Sequence, residues 1–227
     1  MCPSLKAPPQ GTRRGLSWGV HEHYEYRRIR VAPRSWGRAG PALHARGAGA
    51  VAAAGGTLFG VFTGQIGLGA NEGVVLTAWP DRASLQNGSS LGVEGVDEVL
   101  ESSGEPFVAT VRPVEPRPPT EPGVWAHRFF EIRDEDWPEF LELSEGAWPR
   151  FEETNGVRVR GFWRSLNVEP PLARVLLLTW YPSLAVWEQS RGHRPDTKTE
   201  PEVHQRFVRR HQLTESTIVC TTELLLP

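Results

Sequence analysis

The stretch at residues 161–181, GFWRSLNVEPPLARVLLLTWY, decides how the fold of this chain is read. It contains two strand-like runs, at 161–166 and 173–181, with a proline-containing loop between them. Aromatic, β-branched and aliphatic residues fill both runs and turn residues flank them, which is the pattern of a β-hairpin. The second run is almost entirely apolar, so we expect a central strand that is buried on both faces.

The same pattern occurs earlier in the chain. A shift of 101 positions connects residues of like type in the two halves: Arg27 and Arg128, Trp36 and Trp137, Gly55 and Gly156, Gly60 and Gly161, Val74 and Val175, Leu76 and Leu177, and Trp79 and Trp180. These matches fall in the same order along both halves. A repeat of this length predicts a fold built from two similar units.

Each half is predicted to contain four strands. In the first half we place strands at 24–31, 57–63, 73–79 and 107–114, and helices at 35–54, from 80 onward and at 93–101. In the second half we place strands at 124–132, 161–166, 173–181 and 216–225, and helices at 134–153, 183–189 and 202–213. The order β-α-β-β-α-β is that of a ferredoxin-like unit. We therefore predict an α+β fold in which two tandem ferredoxin-like units pack sheet to sheet as an intramolecular α/β barrel.

Changes in composition divide the chain into four segments. Residues 1–19 are rich in Pro, Gly and Arg and are predicted to be a disordered tail. Residues 20–114 form the first predicted repeat and 123–227 the second. Between them, residues 115–122, EPRPPTEP, are predicted to be an extended proline-rich linker.

The overall composition argues against several classes of partner. The 227 residues include 39% hydrophobic and 23% charged residues, with a formal net charge of −2. This balance is ordinary for a globular protein and predicts neither a nucleic-acid nor a membrane partner. Cys2 and Cys220 are too few and too far apart to predict a disulfide framework. The N-terminus lacks the apolar core of a secretory signal, so a cytoplasmic location is expected.

Five segments of the second half carry a resemblance to a known family. They are Phe130-Glu131-Ile132-Arg133 at a strand end, a helix with Trp137, Phe140 and Leu141, the run Gly161-Phe162-Trp163-Arg164, the LLLTWY strand followed by Ser183 and Leu184, and the closing ELLLP. In these segments the chain resembles the NIPSNAP family of the dimeric α/β-barrel superfamily. The first half is similar, but it has glycines where helix formers would be expected.

The resemblance implies a fold without fixing a reaction, because the superfamily includes cofactor-independent monooxygenases, haem-degrading enzymes and isomerases. We expect a protein that binds a small hydrophobic or aromatic molecule. No nucleotide-cofactor motif is evident, and no cofactor is predicted. One hypothesis is a cofactor-independent oxygenase or isomerase of secondary metabolism. The alternative is a non-catalytic module that binds a small molecule or another protein, and a homodimer also stays open.

One predicted strand supplies the first candidate site residues. His127 is in phase with Trp125 and Phe129, and the shift of 101 places Tyr26 at the matching position of the first half. His127 and Tyr26 could exchange protons with a ligand that Trp125 and Phe129 help to bind. The same residues could instead form a packing layer whose hydrogen bonds are satisfied internally.

Arginines and tryptophans supply further candidates. Arg128 could hold a carboxylate or an enolate through charge-assisted hydrogen bonds, and Arg164 could do the same. Either arginine could instead form a structural ion pair. Trp163 and Trp180 could stack on a flat ligand, although recurring tryptophans are also typical of core packing.

Histidines give two more hypotheses. His204 shares a predicted helix face with His211 and Phe207, and could bind a substrate if that face lines a pocket. An arginine-rich helix of this kind could instead pack over the sheet with part of its surface in solvent. His21 and His23 could share a metal, but no third ligand is evident nearby, so no metal site is predicted.

Overall fold

Eight antiparallel strands form the frame of the part of the chain that the structure describes. The computed structural model describes residues 22–113, 117–167, 170–191 and 201–227. The strands are β1 (His23–Val31), β2 (Thr57–Ile66), β3 (Glu72–Trp79), β4 (Val99–Arg112), β5 (Val124–Arg133), β6 (Arg158–Ser165), β7 (Leu172–Tyr181) and β8 (Thr214–Leu225). The predicted hairpin is present as β6 and β7, with Trp163 opposite Leu176.

Helices follow the first and third strands of each half. They are α1 (Trp36–Ala42), a π-helical turn (Leu43–Gly47), α2 (Ala48–Ala53), α3 (Arg82–Gly88), a 3-10 turn (Asp134–Asp136), α4 (Trp137–Asn155), α5 (Leu184–Gln189) and α6 (Pro201–Gln212). Asp81 and Ser183 cap α3 and α5, since each side chain accepts a backbone N–H of the first turn. Gly156 ends α4 in the left-handed conformation, with φ of 63°.

The strands join in a closed ring. The order is β4-β1-β3-β2 in the first half and β8-β5-β7-β6 in the second, which is the same order within each set of four. The two sets meet edge to edge, because β2 pairs with β8 and β4 pairs with β6. The result is a closed antiparallel barrel, in which each half completes the hydrogen bonding of the other.

Successive strand residues alternate between the barrel interior and an outer face that helices cover. The interior is a cluster of large side chains, including Tyr24, Tyr26, Phe59, Phe62, Phe107, Trp125, Phe129, Trp163, Leu176 and Leu178. The outer face of the second half packs mainly on α4. Phe130, Ile132 and Phe162 of the strands contact Phe140 and Trp148 of this helix. The core therefore consists of a filled barrel and separate layers under the helices.

The pairing register corrects the predicted match between the halves. Arg27 lies opposite Val75, and Arg128 lies opposite Leu177. The shift of 101 thus holds for β1 and β5, whereas β3 and β7 match with a shift of 102. The predicted pairs Val74 with Val175, Leu76 with Leu177 and Trp79 with Trp180 are therefore wrong by one residue. Because the side-chain period of a strand is two, a slip of one residue exchanges its faces.

Two predicted helices also differ from the structure. The helix predicted at 93–101 is wrong: residues 89–98 form turns, and β4 begins at Val99. The helix predicted at 35–54 is present, but Leu43–Gly47 forms a π-helical turn in its middle. A side chain at Gly47 would overlap the carbonyl oxygen of Gly92. Glycine at position 47 therefore lets the helix pack closely against the turn that contains Gly92. The predicted linker shows no regular structure over its described residues, 117–122.

Among the described residues, no helix has both the length and the apolar character that crossing a bilayer requires.

Candidate functional site

Five of the predicted site residues lie together in the barrel interior. Tyr26 is in edge contact with His127 and Phe129, with ring centroids 5.6 and 5.1 Å apart. Trp125 and Trp163 belong to the same cluster, and both are fully buried. The interior is thus an aromatic packing layer built from both halves.

The two titratable groups of this layer are held neutral. Burial lowers the pKa of His127 to about 3, and its Nε2 is 2.8 Å from the Thr222 hydroxyl. Burial, reinforced by Cys220, raises the pKa of Tyr26 well above its ordinary value. The pKa of each group is far from neutral, so neither exchanges protons readily at pH 7.

Of the other predicted residues, only Trp180 touches this cluster. Arg164 lies on the opposite face of β6 from Trp163, where it pairs with Asp134 and lies 5.5 Å from the Trp137 ring centroid. Trp180 packs at the end of the interior cluster and donates its indole N–H to Pro122. His204 is exposed on α6. The structure therefore does not bring these residues and His127 into one pocket.

Arg128 lies on the outer face of β5, beneath α5 and α6. Burial lowers the pKa of its guanidinium, and the positive charge of Arg191 lowers it further. Within the described residues, no carboxylate forms an ion pair with Arg128. It is a partly buried cation without a counter-ion in this part of the chain.

Arg210 approaches the same place from α6. It lies on the buried face of the helix, in line with Val203, Phe207 and Leu213. Its guanidinium lies 4.9 Å from the ring centroid of Phe207 and 5.2 Å from that of Phe130. The Ser144 hydroxyl is 3.4 Å from it, and among the described residues no carboxylate pairs with it.

The electrostatics of Arg210 follow from this setting. Burial, together with repulsion by Arg128, lowers the pKa of Arg210 to about 9. The two guanidinium groups thus repel each other in a poorly solvated layer. Two like charges in such a layer favour binding of an anion between or beside them.

Hydroxyl groups stand next to the two arginines. Tyr181 is buried on the outer face of β7, and burial raises the pKa of its phenol while nearby Arg128 lowers it. The hydroxyls of Ser190 and Thr179 lie beside that phenol and favour its ionised form. The phenol nevertheless stays protonated at neutral pH, so it can donate a hydrogen bond to an anion.

Apolar side chains complete the surroundings of Tyr181. The cluster contains Val124, Ala126, Val157 and Tyr181, with Phe151, Leu184, Val186, Trp187 and Val219 packed against it. The indole N–H of Trp187 is buried and has no acceptor within the described residues. The region therefore combines aromatic walls with several hydrogen-bond donors. We refer to Arg128, Arg210, Tyr181, Ser190 and Trp187 as the arginine cleft.

The matching place in the first half is filled by the chain itself. Arg27 donates to both carboxylate oxygens of Glu25, at 3.1 Å from Nε and 2.7 Å from an Nη atom. The Ser89 hydroxyl donates to the same carboxylate at 2.6 Å, and the Ser90 backbone N–H lies 3.3 Å from it. The pair is almost fully buried, so the first half neutralises its own arginine.

Sequence reasoning found Arg128 but missed Arg210 and Tyr181. The signal for Arg210 was its helical phase with Val203 and Phe207, which the neighbouring exposed arginines obscured. His211, which was predicted to share a helix face with His204, is exposed as well. The described residues contain no group of three or more His, Cys, Asp or Glu side chains placed to hold a metal. His21 of the metal hypothesis lies outside the described residues.

Solved structures of low sequence identity share the overall fold. A proposed monooxygenase from Lactobacillus acidophilus is 11% identical with a TM-score of 0.60, over 91% of this chain and 95% of that protein. An anthrone oxidase-like protein is 12% identical with a TM-score of 0.60, over 93% and 94%. A NIPSNAP family protein from Agrobacterium tumefaciens is 23% identical, but it covers only 46% of this chain and 84% of its own, with a TM-score of 0.36.

The first two of these proteins, which are described as a monooxygenase and as anthrone oxidase-like, share the overall fold of this chain. The predicted fold is confirmed by these matches, and the resemblance to the NIPSNAP family stays a prediction. No protein-family profile and no curated protein matches the chain. Identities this low show the fold alone.

Proposed function

We propose that the second half of the chain binds a small, flat and largely apolar molecule that carries one anionic group, and that it does so in the arginine cleft. The observation that carries this proposal is the pair Arg128 and Arg210, which no carboxylate of the described residues neutralises. A cation removed from water without a partner is destabilising. An anionic ligand would supply the missing partner.

The walls of the cleft indicate the rest of the ligand. Phe151, Trp187 and Tyr181 offer aromatic surface next to the arginines, and such surfaces favour flat, apolar molecules. Arg128 and Arg210 are only partly buried as whole residues, so the cleft can be reached from solvent. A few polar donors in an apolar setting are typical of small-molecule sites.

Binding can be tested with three probes that differ in charge: 2-naphthoate, 2-naphthol and naphthalene. Equilibrium dialysis at pH 7 is expected to show saturable binding of 2-naphthoate at one site per chain. Arg128→Met is expected to weaken that binding by at least about ten-fold, because it removes one partner of a poorly solvated charge pair.

The matched control is Arg209→Met. Arg209 is the neighbour of Arg210 on α6, but it points outward and pairs with Glu139 at 2.6 and 2.8 Å. Binding of 2-naphthoate is expected to be unchanged in this variant. If none of the three probes binds the wild-type protein, or if Arg209→Met weakens binding as much as Arg128→Met, the proposal is wrong.

An enzymatic use of the cleft is a second candidate. Arg128, Arg210 and the protonated Tyr181 phenol interact electrostatically with one another, and cations and donors grouped in this way stabilise an enolate or a phenolate. That anion is the reactive species in the cofactor-independent oxygenase and isomerase hypotheses. The alternative remains a non-catalytic module that binds a small molecule or another protein.

Oxygen uptake distinguishes these candidates. Anthrone is a suitable probe because it is flat and readily forms an enolate, and a structural neighbour is named for a related activity. The oxygenase candidate predicts uptake above the uncatalysed rate in wild-type protein, and loss of this excess in Arg128→Met. Uptake equal to the uncatalysed rate would reject that candidate and favour the non-catalytic module.

A further inference from the structure

Each half has an arginine at the same position of its first strand. The two halves differ in the residue that lies two positions before this arginine. Glu25 precedes Arg27 in β1, and Ala126 precedes Arg128 in β5. Each of these positions lies opposite a threonine of the neighbouring strand, Glu25 opposite Thr77 and Ala126 opposite Thr179. The register thus makes Ala126 the structural counterpart of Glu25.

The surroundings of the two arginines correspond as well. Ser89 directly follows α3 and contacts both Arg27 and Glu25, while Ser190 directly follows α5 and lies beside Tyr181. A serine therefore directly follows the corresponding helix in both halves, although the Ser190 hydroxyl donates to the Trp187 carbonyl oxygen at 2.8 Å. The second half retains the arginine and has no carboxylate at the position of Glu25.

The first half shows how such a site binds a carboxylate. Each oxygen of Glu25 accepts two hydrogen bonds: one from Arg27 and one from Ser89 or the backbone of Ser90. The arginine contact is bidentate, which is a geometry selective for planar, two-oxygen anions. Gly104 leaves room for it, since a Cβ there would lie 2.6 Å from the Glu25 carboxylate and 2.7 Å from Arg27.

We infer that Glu25 is a built-in ligand of the first half, and that the second half takes the equivalent carboxylate from a free molecule. This inference rests on the proposed function and makes it more specific, because it selects a flat carboxylic acid over a phenol or an enol. It also assigns a latent carboxylate site to the first half. That site becomes available to solutes when the Glu25 side chain is removed.

The latent site is tested by chemical rescue. Glu25→Ala vacates the position of the carboxylate, and sodium propionate is the probe because propionate corresponds to the whole glutamate side chain. The variant is expected to unfold at a lower temperature than wild type, and propionate is expected to raise its Tm saturably by about 2–4 °C. Sodium chloride at the same ionic strength supplies the control for non-specific salt effects.

The rescue must depend on Arg27. Glu25→Ala/Arg27→Met is expected to show no propionate-specific rise in Tm. If Glu25→Ala does not fold, Glu25→Ser is measured in the same way, because it also vacates the position of the carboxylate. A rise in Tm that is equal in propionate and chloride, or one that persists without Arg27, overturns the inference.

The second half is tested at Ala126. Ala126→Glu is expected to supply an internal carboxylate to Arg128 and to weaken 2-naphthoate binding by at least about ten-fold. Ala126→Gln adds nearly the same volume without charge and is expected to weaken it less. Equal losses in the two variants would indicate a steric effect alone and would overturn the inference.

The outcomes separate the inference from the proposed function. Wild-type protein that binds none of the naphthalene probes refutes the proposed function, whatever propionate does to Glu25→Ala. Wild-type protein that binds 2-naphthoate, together with Glu25→Ala that shows no propionate-specific rescue, refutes the inference and leaves the proposed function in place.

Discussion

Arg27→Met and Arg128→Met are matched substitutions with different expected effects on the free energy of unfolding. Both residues lie on the outer face of the first strand of their half. Methionine keeps much of the apolar stem of arginine and removes its charge. The comparison therefore isolates the electrostatic setting of each guanidinium.

The magnitude follows from the contacts that each arginine makes. Arg27→Met leaves the Glu25 carboxylate with the Ser89 hydroxyl and the Ser90 backbone as donors, and without a cation. Removing one partner of a buried ion pair destabilises a protein by about 3–5 kcal/mol. Arg128→Met removes a charge that has no carboxylate partner in the described residues, so stability is expected to stay within about 1 kcal/mol of wild type or to rise.

Urea unfolding at pH 7, followed by tryptophan fluorescence and by circular dichroism, measures both values. A further variant, Glu25→Gln/Arg27→Met, removes both charges of the first half and is expected to recover part of the loss. Equal destabilisation by Arg27→Met and Arg128→Met would refute the reasoning, because it would mean that Arg128 is neutralised as fully as Arg27.

Three further predictions concern the barrel. Because the folded pKa of His127 is about 3 and its ordinary value is 6.5, only the unfolded chain takes up this proton between about pH 6.5 and pH 3. The free energy of unfolding of wild type, relative to that of His127→Phe, should therefore fall by about 2–3 kcal/mol from pH 7 to pH 4.5 in urea unfolding. A constant difference would contradict a buried, neutral imidazole. Gly161→Ala should lower the free energy of unfolding by about 1–3 kcal/mol, because the added methyl group overlaps the Trp163 ring. The control is Gly37→Ala, whose added methyl group meets open space. Its free energy of unfolding should be unchanged or raised by up to about 1 kcal/mol. Burial raises the pKa of the Cys220 thiol, so in a Cys2→Ser variant Cys220 should react with Ellman's reagent only after unfolding. The double variant Cys2→Ser/Cys220→Ser is the control, and fast reaction of native Cys2→Ser protein would contradict the burial of Cys220.

The architecture was predictable because strand periodicity and turn residues are local signals. The hairpin at 161–181 and the order of elements both follow from them, and the helix predicted at 183–189 is present as α5. The region at 93–101 was not predictable in this way. Its residues Val93 and Val96 pack against the first-half core from turns, so tertiary packing rather than helical periodicity explains their spacing.

The candidate site was predictable only in part, because composition does not reveal which face a residue occupies. Trp79 and Trp180 look equivalent in sequence, yet Trp79 packs under the helices while Trp180 packs against the barrel interior. Arg209 and Arg210 are adjacent and identical in type, yet only Arg210 lies in the buried layer. The contrast between Glu25 and Ala126 is visible in the sequence, but its meaning depends on the contacts of Arg27.

A crystal structure of the protein grown with saturating 2-naphthoate tests the central claim most directly. We expect a carboxylate within hydrogen-bonding distance of Arg128 or Arg210, with the naphthalene ring against the aromatic walls of the cleft. A ligand found in the barrel interior near His127, or an arginine cleft that stays empty at saturation, would contradict it.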